Sequence, residues 1–308
     1  MANISNLIKE LREKTGAGIV DCKNALLENN HEIEKAIDWL RKKGLSVAAK
    51  KSGRVAAEGL IGTHISENKG CVIEINSETD FVSRNKIFQE FVKNCSILSL
   101  ECNSDVNHLK KMTYLNTGNT VEEELTKNIA TIGENLNIRR IGSLSLNSEG
   151  LIVSYVHNSI GENLGKIGVL VGLQSVTDKK FLQEIGKQIA MHIAATKPLA
   201  KNIEDLDTEL VENERSILIE QSLSSGKSQE IAEKMVQGRI KKFFQEVVLE
   251  EQTFVIDGKS SIKQFIQDQS NICGEKIEIT GFKIFVLGDG IDVDEKDFAA
   301  EVADTAKK

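Results

Sequence analysis

The sequence predicts an α+β fold in which helices pack on antiparallel sheets, with a core built from two related modules. Three observations lead to this prediction. Short runs rich in β-branched residues lie between polar turns and indicate strand hairpins, and amphipathic segments of helical period separate those hairpins. The order of these elements then recurs in the second half of the chain. With 308 residues, the chain is long enough for about two domains and smaller additions.

The N-terminal residues predict a three-helix bundle. Residues 1–43 divide into three short helical segments, and the third has an apolar stripe at helical spacing, formed by Ile33, Ala36, Ile37 and Leu40. Such short helices need each other to bury their stripes, so we expect one small domain, 1–55, that ends in a linker. The basic residues 41–54 lack apolar periodicity and are interpreted as that linker, with contact to RNA or another anionic partner as the alternative.

The first core module is predicted at residues 56–141. Segments 60–65 and 71–75 lie on either side of a polar, glycine-containing turn, which indicates a hairpin of two strands. Amphipathic helical segments follow at 86–100 and around 121–133, and a last strand then returns to the hairpin. We therefore expect a small antiparallel sheet with helices on one face.

A second module with the same order of elements is predicted at residues 142–203 together with 249–288. It again has a hairpin followed by an amphipathic helix, which begins after Asp178. Two consecutive helical segments joined by a short glycine-containing turn interrupt the module at 204–248 and predict an αα-hairpin. The tail, 289–308, predicts one more amphipathic helix, which is too short to be stable alone in water.

The composition excludes several function classes. Charged residues make up 28% of the chain, and 39 basic against 46 acidic residues leave a net charge of −7. Because a negative protein does not attract phosphate backbones in general, we expect no direct binding of nucleic acid. The apolar stretch at 167–173 is far shorter than the roughly 18 residues of a membrane span, so we expect no membrane contact.

The N-terminus and the cysteines favour a cytoplasmic protein. Charged residues interrupt the first apolar turns of the chain, which is not the pattern of a signal peptide. The five cysteines are scattered and contain no C-x-x-C pair. They therefore predict reduced thiols rather than a disulfide framework or a zinc site.

Motifs for catalysis and cofactor binding are incomplete. The Gly-Lys-Ser triplets at 226–228 and 258–260 lack the first glycine of a phosphate-binding loop, and Gly16-x-Gly18 lacks the third glycine of a dinucleotide motif. The five histidines never occur at metal-ligand spacing. We therefore expect no cofactor, no metal and no active site, and the protein is predicted not to be an enzyme.

The loop after the first hairpin differs between the two modules. Its first residues are Thr79, Asp80, Phe81 and Val82. Five residues, 81–85, separate Asp80 from the next helix, whereas Asp178 runs directly into its helix. Thr79 or Asp80 could cap the helix, and Phe81 could be a core residue. An insert present in one copy only is not needed to close the fold, so a binding role for Asp80 and Phe81 is favoured.

Several collinear segments carry a resemblance to a known family. They are LREKTGAGIVDCK at 11–23, TDFV at 79–82, IGEN at 132–135, IRR at 138–140, MHIAA at 191–195, IAEKMV at 231–236 and DFAAEV at 297–302. Together they resemble the bacterial translation elongation factor Ts family over essentially the whole chain. The resemblance implies an N-terminal ubiquitin-associated-like three-helix bundle, a duplicated α+β core, a coiled-coil hairpin and a C-terminal helix.

The resemblance also implies a function, a partner and a site. The family promotes guanine nucleotide exchange on the GTPase elongation factor Tu in its GDP-bound form, so the chain is expected to act in translation elongation. In the family, the residues matching Asp80 and Phe81 intrude beside the magnesium site of that GTPase and loosen its hold on GDP. Thr79 and Val82 complete the expected contact, and His192 is expected to contact a different domain of the partner. Ser83 stands where the family usually has alanine, which leaves the Asp and the Phe intact.

Two other function classes are weaker interpretations. A hydrolase using Cys71 or His64 lacks a matched base, nucleophile and orienting acid. An RNA-binding adaptor would use the basic residues 42–54 and would bind with a steep dependence on salt. Dimerisation through the helical hairpin or the core stays open at this point.

Overall fold

The structure, a computed structural model, describes residues 4–225 and 228–292 and shows the predicted mixture of helices and antiparallel sheets. The helices are α1 (Ile4–Thr15), α2 (Ile19–Glu28), α3 (Ile33–Lys51), α4 (Lys86–Leu98), α5 (Val106–Lys111), α6 (Val121–Ile132), α7 (Lys179–Thr196), α8 (Thr208–Ser224), α9 (Gln229–Val247) and α10 (Ile262–Cys273). The strands are β1 (Glu58–Ser66), β2 (Lys69–Ser77), β3 (Leu136–Ser145), β4 (Gly150–His157), β5 (Leu164–Gly165), β6 (Ile167–Gln174) and β7 (Glu278–Val286). The helix predicted in the tail lies in residues 293–308, outside the described residues. Among the described helices, none is both long enough and apolar enough to cross a membrane.

The predicted N-terminal bundle is confirmed. α1, α2 and α3 pack around a small core whose buried members are Leu11, Cys22, Ala25, Leu26 and Ala36. Each helix turns apolar side chains toward this core, as short amphipathic helices do when they pack together. The bundle is therefore a separate, small apolar cluster at one end of the chain.

The linker predicted at residues 41–54 is wrong over most of its length. α3 continues through this stretch to Lys51 and packs against α6 of the first core module. Arg41 pairs with Glu123 across this contact, and the Lys51 ammonium donates to the carbonyl of Gly133. The sequence lacks a hydrophobic period here because this part of α3 meets α6 largely through small and basic side chains.

Two antiparallel sheets face each other at the centre of the core. The first has the strand order β3-β2-β1-β5, and the second has the order β4-β6-β7. The side chains that fill the space between them include Ile61, Val72, Leu146, Ile152 and Leu170. α4 and α6 cover the outer face of the first sheet, and α7 and α10 cover that of the second. The result is a four-layer core in which each predicted module supplies most of one sheet and its covering helices.

The two modules share strands more closely than their repeated pattern indicates. β5 comes from the second module but pairs with β1 in the first sheet, with Ile61 opposite Gly165. The boundary predicted at 141/142 falls inside β3. Gly168 of β6 lies so close to the first sheet that a Cβ atom there would be 2.5 Å from Cγ2 of Ile61. Separating the sheets would expose this close packing, so the two modules form one core.

Glu74 is a fully buried carboxylate that ties the end of β7 to the first sheet. Its oxygens lie 3.0 Å from Nη1 of Arg139 and 2.5 Å from Nε of Arg140. The backbone N–H of Gly288 donates to the same carboxylate at 2.9 Å. Both arginines also donate to backbone carbonyls at or just after the end of β7. One carboxylate on β2 therefore joins strands of both modules.

α8 and α9 form the predicted αα-hairpin, which stands apart from both sheets. Leu218, Val236 and Ile240 form a small apolar cluster between the two helices. At the base, Ala200 and Val248 form a parallel β-bridge that closes the excursion. Among the described residues, the clusters that pack on the two sheets contain no member from α8 or α9. The hairpin is thus an addition to the core rather than a layer of it.

Removing the hairpin above its base is expected to leave the rest of the fold stable. A short Gly/Ser loop replacing residues 212–243 removes no member of the clusters that pack on the sheets. Thermal unfolding followed by circular dichroism should stay cooperative, with a melting temperature close to that of the parent. A larger replacement, of residues 207–245, also removes Val211 and Phe244 from the base and should melt at a lower temperature. Loss of cooperative unfolding in the smaller variant would contradict this prediction.

Candidate partner-binding site

The loop singled out by the sequence, residues 79–85, is here called the contact loop. Its central part is a short 3₁₀ helix, Asp80–Arg84, between β2 and α4. Phe81 is 79% exposed, more than any other large hydrophobic side chain in the described residues, and Asp80 is exposed beside it. Val82 is 5% exposed and belongs to the apolar cluster under the first sheet. The loop therefore presents a carboxylate and an aromatic ring to solvent while the next residue holds it to the core.

The exposure of Phe81 rules out the interpretation of this residue as part of the core. Single exposed apolar side chains are common on monomeric proteins and do not by themselves indicate a binding site. Here the ring adjoins Asp80, whose carboxylate makes no hydrogen bond or ion pair with any residue in the described part of the chain. Both side chains are therefore available to a partner at no cost to the fold.

Asn85, and not Thr79 or Asp80, caps the helix that follows the contact loop. The Asn85 side chain accepts a hydrogen bond from the N–H of Ile87 at 2.9 Å. In the second module Asp178, which directly precedes α7, caps that helix by accepting from two backbone N–H groups. The cap predicted for the first module is wrong because the 3₁₀ helix lies between Asp80 and the first turn of α4 and shifts the cap position to its end.

The contact loop is also not the removable insert that the comparison of the two modules indicates. Deleting residues 81–85 would remove the helix cap at Asn85 and the buried side chain of Val82. Ser83 is buried as well, and Nε2 of Gln89 donates to its carbonyl at 2.9 Å. The deletion would thus destabilise the module, so tests of this loop require single substitutions at its exposed residues.

Thr79 is held by a carboxylate from the turn after α6. Its backbone N–H donates to Oε2 of Glu134 at 2.9 Å, and its hydroxyl donates to Oε1 of the same residue at 2.6 Å. On the other side, the hydroxyl of Ser77 donates to the Thr79 carbonyl at 2.9 Å. Thr79 therefore serves this site as an anchor point directly before Asp80.

Residues 133–135, here called the anchor turn, also contact the residue before Thr79. The N–H of Asn135 donates to Oε1 of Glu78 at 2.6 Å. Arg54 lies 3.3 Å from the other Glu78 oxygen, and its carbonyl accepts from the Asn135 amide at 2.7 Å. In the sequence this turn was noticed only as part of one segment that resembles the family, and no role was predicted for it. No local pattern could reveal it, because its partners lie more than fifty residues away.

His192 does not lie on a surface, which corrects its prediction as a direct contact. It is fully buried on α7, where its Nε2 lies 2.9 Å from Oε1 of Gln252 and its Nδ1 accepts from the N–H of Val255 at 3.3 Å. Burial lowers the pKa of His192 and favours the neutral ring that these two bonds require. Its side chain holds the 252–255 segment in place and is not available to touch a partner.

The two residues considered for a hydrolase, Cys71 and His64, both have shifted pKa values. Burial raises the pKa of Cys71 to about 12, and its thiol donates to the carbonyl of Ser96 at 2.8 Å. A thiol that stays protonated is a poor nucleophile. Burial also lowers the pKa of His64. Within the described residues, no group of three or more histidine, cysteine or acidic side chains could hold a metal ion.

Comparisons with known proteins all match the chain to one family. A family model described as "Elongation factor TS" matches residues 78–289, which include the contact loop, the anchor turn and the whole second module but not β1 and β2. The chain is 52% identical to an elongation factor Ts of Rhodospirillum centenum over 99% of this chain and 100% of the relative. It is 50% identical to one of Rhizobium meliloti over 98% of each chain. It is 49% identical to one of Parvibaculum lavamentivorans over the full length of both.

Proposed function

The chain belongs to the elongation factor Ts family, and we propose that it promotes release of GDP from elongation factor Tu by disturbing the magnesium site of that GTPase. The observation that carries the proposal is the exposed pair of Asp80 and Phe81 on a loop that the core holds at both ends. The chain would act by binding alone and would make or break no covalent bond, so we infer that it is not an enzyme.

Asp80 supplies the charge in this mechanism. A nucleoside diphosphate on a GTPase is held by a phosphate-binding loop and by Mg²⁺, which neutralises the phosphate charge. A carboxylate brought next to that ion disturbs its ligand shell, and the phosphates then lose part of their neutralisation. Because the Asp80 carboxylate has no partner among the described residues, it can turn toward the ion without breaking a contact of its own.

Phe81 supplies the binding energy that keeps the carboxylate in place. Moving an exposed aromatic ring into an apolar pocket contributes on the order of 1.5–3 kcal/mol. Since Phe81 is already exposed in the free chain, nearly all of this energy is gained on binding. Coupling between two ligands of one protein is reciprocal, so GDP must weaken the binding of this chain by the factor by which the chain weakens GDP.

The second module is proposed to contact a different domain of the partner. His192 would act there indirectly, through the residues that it positions. Met191 precedes it on α7 and is exposed, and Val255, whose N–H it accepts, is exposed as well. These two side chains, and not the histidine, are the candidates for direct contact in this region.

The decisive experiment follows release of a fluorescent GDP from elongation factor Tu, with unlabelled GDP in excess. Substoichiometric amounts of this chain should accelerate the release, because the chain is not consumed and can act on many partner molecules. An unchanged release rate at all concentrations of the chain would contradict the proposed function. Loss of magnesium by chelation should raise the basal rate and reduce the additional effect of the chain.

Two contacts weaken the RNA-binding alternative. Of the basic residues 42–54 that it would use, Lys51 donates to the Gly133 carbonyl and Arg54 pairs with Glu78. A steep salt dependence of RNA binding, with a slope set by several phosphate contacts, would be needed to restore it.

A further inference from the structure

The anchor turn places one carboxylate where it can control the direction of the contact loop. Glu134 accepts both hydrogen-bond donors of Thr79, one on each carboxylate oxygen. Two bonds between the same pair of residues fix both the position and the orientation of Thr79, and bonds to an ionised acceptor are stronger than neutral ones. Thr79 has extended backbone angles (φ −125°, ψ 158°) and is the last residue before the 3₁₀ helix that begins at Asp80.

The rest of the contact loop is fixed from its other end. Val82 is buried in the core, and Asn85 caps α4. Asp80 and Phe81 lie between this fixed end and Thr79, and neither side chain has a hydrogen bond or ion pair of its own in the described part of the chain. The Thr79 end is therefore the one whose release would let Asp80 and Phe81 change direction while the core stays packed.

The anchor turn is itself held independently of Thr79. Gly133 ends α6 in the left-handed conformation (φ 83°), which turns the chain sharply toward β3. Its carbonyl accepts from Lys51, and Asn135 is bonded to Glu78 and to the Arg54 carbonyl. The carboxylate of Glu134 thus has a defined position before any partner binds, as a supporting residue of a preorganised site requires.

From this geometry we propose that Glu134 is a positioning residue for nucleotide exchange: it sets the direction of Asp80 and Phe81 through Thr79 and does not itself touch the nucleotide site. The proposal rests on the exchange function proposed above. The same turn bonds to Lys51, the last residue of α3, and to Arg54 just after it, so the N-terminal bundle and the contact loop share one support.

Glu134→Gln tests this role, since it preserves size and removes the charge that accepts both Thr79 donors. We expect the maximum rate of GDP release to fall about tenfold, which equals about 1.4 kcal/mol, while the concentration of this chain for half-maximal rate changes less than about twofold. The reason is that every side chain proposed to contact the partner is retained, and only the direction of the contact loop is less defined. Glu122→Gln, an exposed glutamate on α6 with the same charge change, is the matched control and should behave like the parent.

A second measurement does not depend on exchange activity. Amide hydrogen exchange of the free chain should become faster in the segment 78–82 of Glu134→Gln, while the strands β1 and β2 keep the protection of the parent. The melting temperature should fall little, because Glu134 is only partly buried and the Thr79 donors can bond to water. A double variant with Thr79→Val should slow GDP release no more than the larger single effect, since both changes break the same link.

Three results would overturn the inference. Parent-like hydrogen exchange in 78–82 would show that Glu134 does not hold the loop. Faster hydrogen exchange with a parent-like maximum rate of GDP release would show that the direction of the loop does not matter. If the parent chain did not accelerate GDP release from elongation factor Tu, the proposed function and the role of Glu134 in it would both be refuted. Hydrogen exchange of the parent and of Glu134→Gln would still show whether Glu134 holds the contact loop.

Discussion

Phe81→Ala is expected to leave the fold intact and to remove most of the acceleration of GDP release. Phe81 is 79% exposed, so its truncation creates no cavity in the core. Without burial of this ring in the partner, the chain loses on the order of 1.5–3 kcal/mol of binding free energy, which corresponds to about 10- to 150-fold weaker binding to elongation factor Tu. A melting curve and a GDP-release trace on the same sample measure the two effects. Truncation of a core phenylalanine would instead cost about 3–5 kcal/mol of folding stability.

Two further variants separate the roles within the contact loop. Asp80→Asn keeps the shape and removes the charge, so it should lower the maximum release rate more than it weakens binding. The Asp80→Ala/Phe81→Ala double variant should be more defective than Phe81→Ala, in which Asp80 can still approach the metal ion. Ile272→Ala, at a hydrophobic residue of α10 that is 69% exposed, is the control and should accelerate GDP release like the parent. A large fall in the melting temperature of Phe81→Ala that accounts for its lost activity would contradict this mechanism.

Replacing both arginines that pair with Glu74 is expected to destabilise the whole core. In Arg139→Met/Arg140→Met, Glu74 stays fully buried and keeps only bonds to neutral donors. Removing the partners of a buried charge typically costs about 3–5 kcal/mol, because the charge remains without compensation. Chemical unfolding followed by circular dichroism measures the free energy of unfolding. Since Glu74 joins strands of both modules, the variant should still unfold in a single transition, at a lower denaturant concentration, and not in two separate transitions.

Adding Glu74→Met to this variant tests the cause of the destabilisation. A buried ion pair replaced entirely by apolar side chains of similar volume is often nearly neutral. The triple variant should therefore recover a large part of the lost stability. It should not recover the contribution of the hydrogen bond from Gly288, because the accepting carboxylate is gone. No recovery would show that the arginines stabilise the core through their contacts to the end of β7, and not through the charge of Glu74.

The candidate site was partly visible in the sequence. The unequal loops of the two modules identified Asp80 and Phe81 as residues that the fold does not need, and the structure places both on the surface. The same comparison could not separate them from Val82, which is buried. Local propensity also could not find Glu134, because its bonds to Thr79 depend on how two distant segments pack.

The sequence by itself determined the class of fold, the order of its elements, the duplication of the core and the loop that carries the exposed pair. Each of these depends on a periodic pattern or a turn within a short stretch of chain, where the spacing of apolar residues reports which face is buried. Tertiary structure alone decided that α3 runs through the predicted linker, that β5 joins the first sheet, and that His192 and Glu74 lie inside. Those outcomes depend on which distant surface covers a residue, and an amphipathic pattern records that a face is covered without recording what covers it.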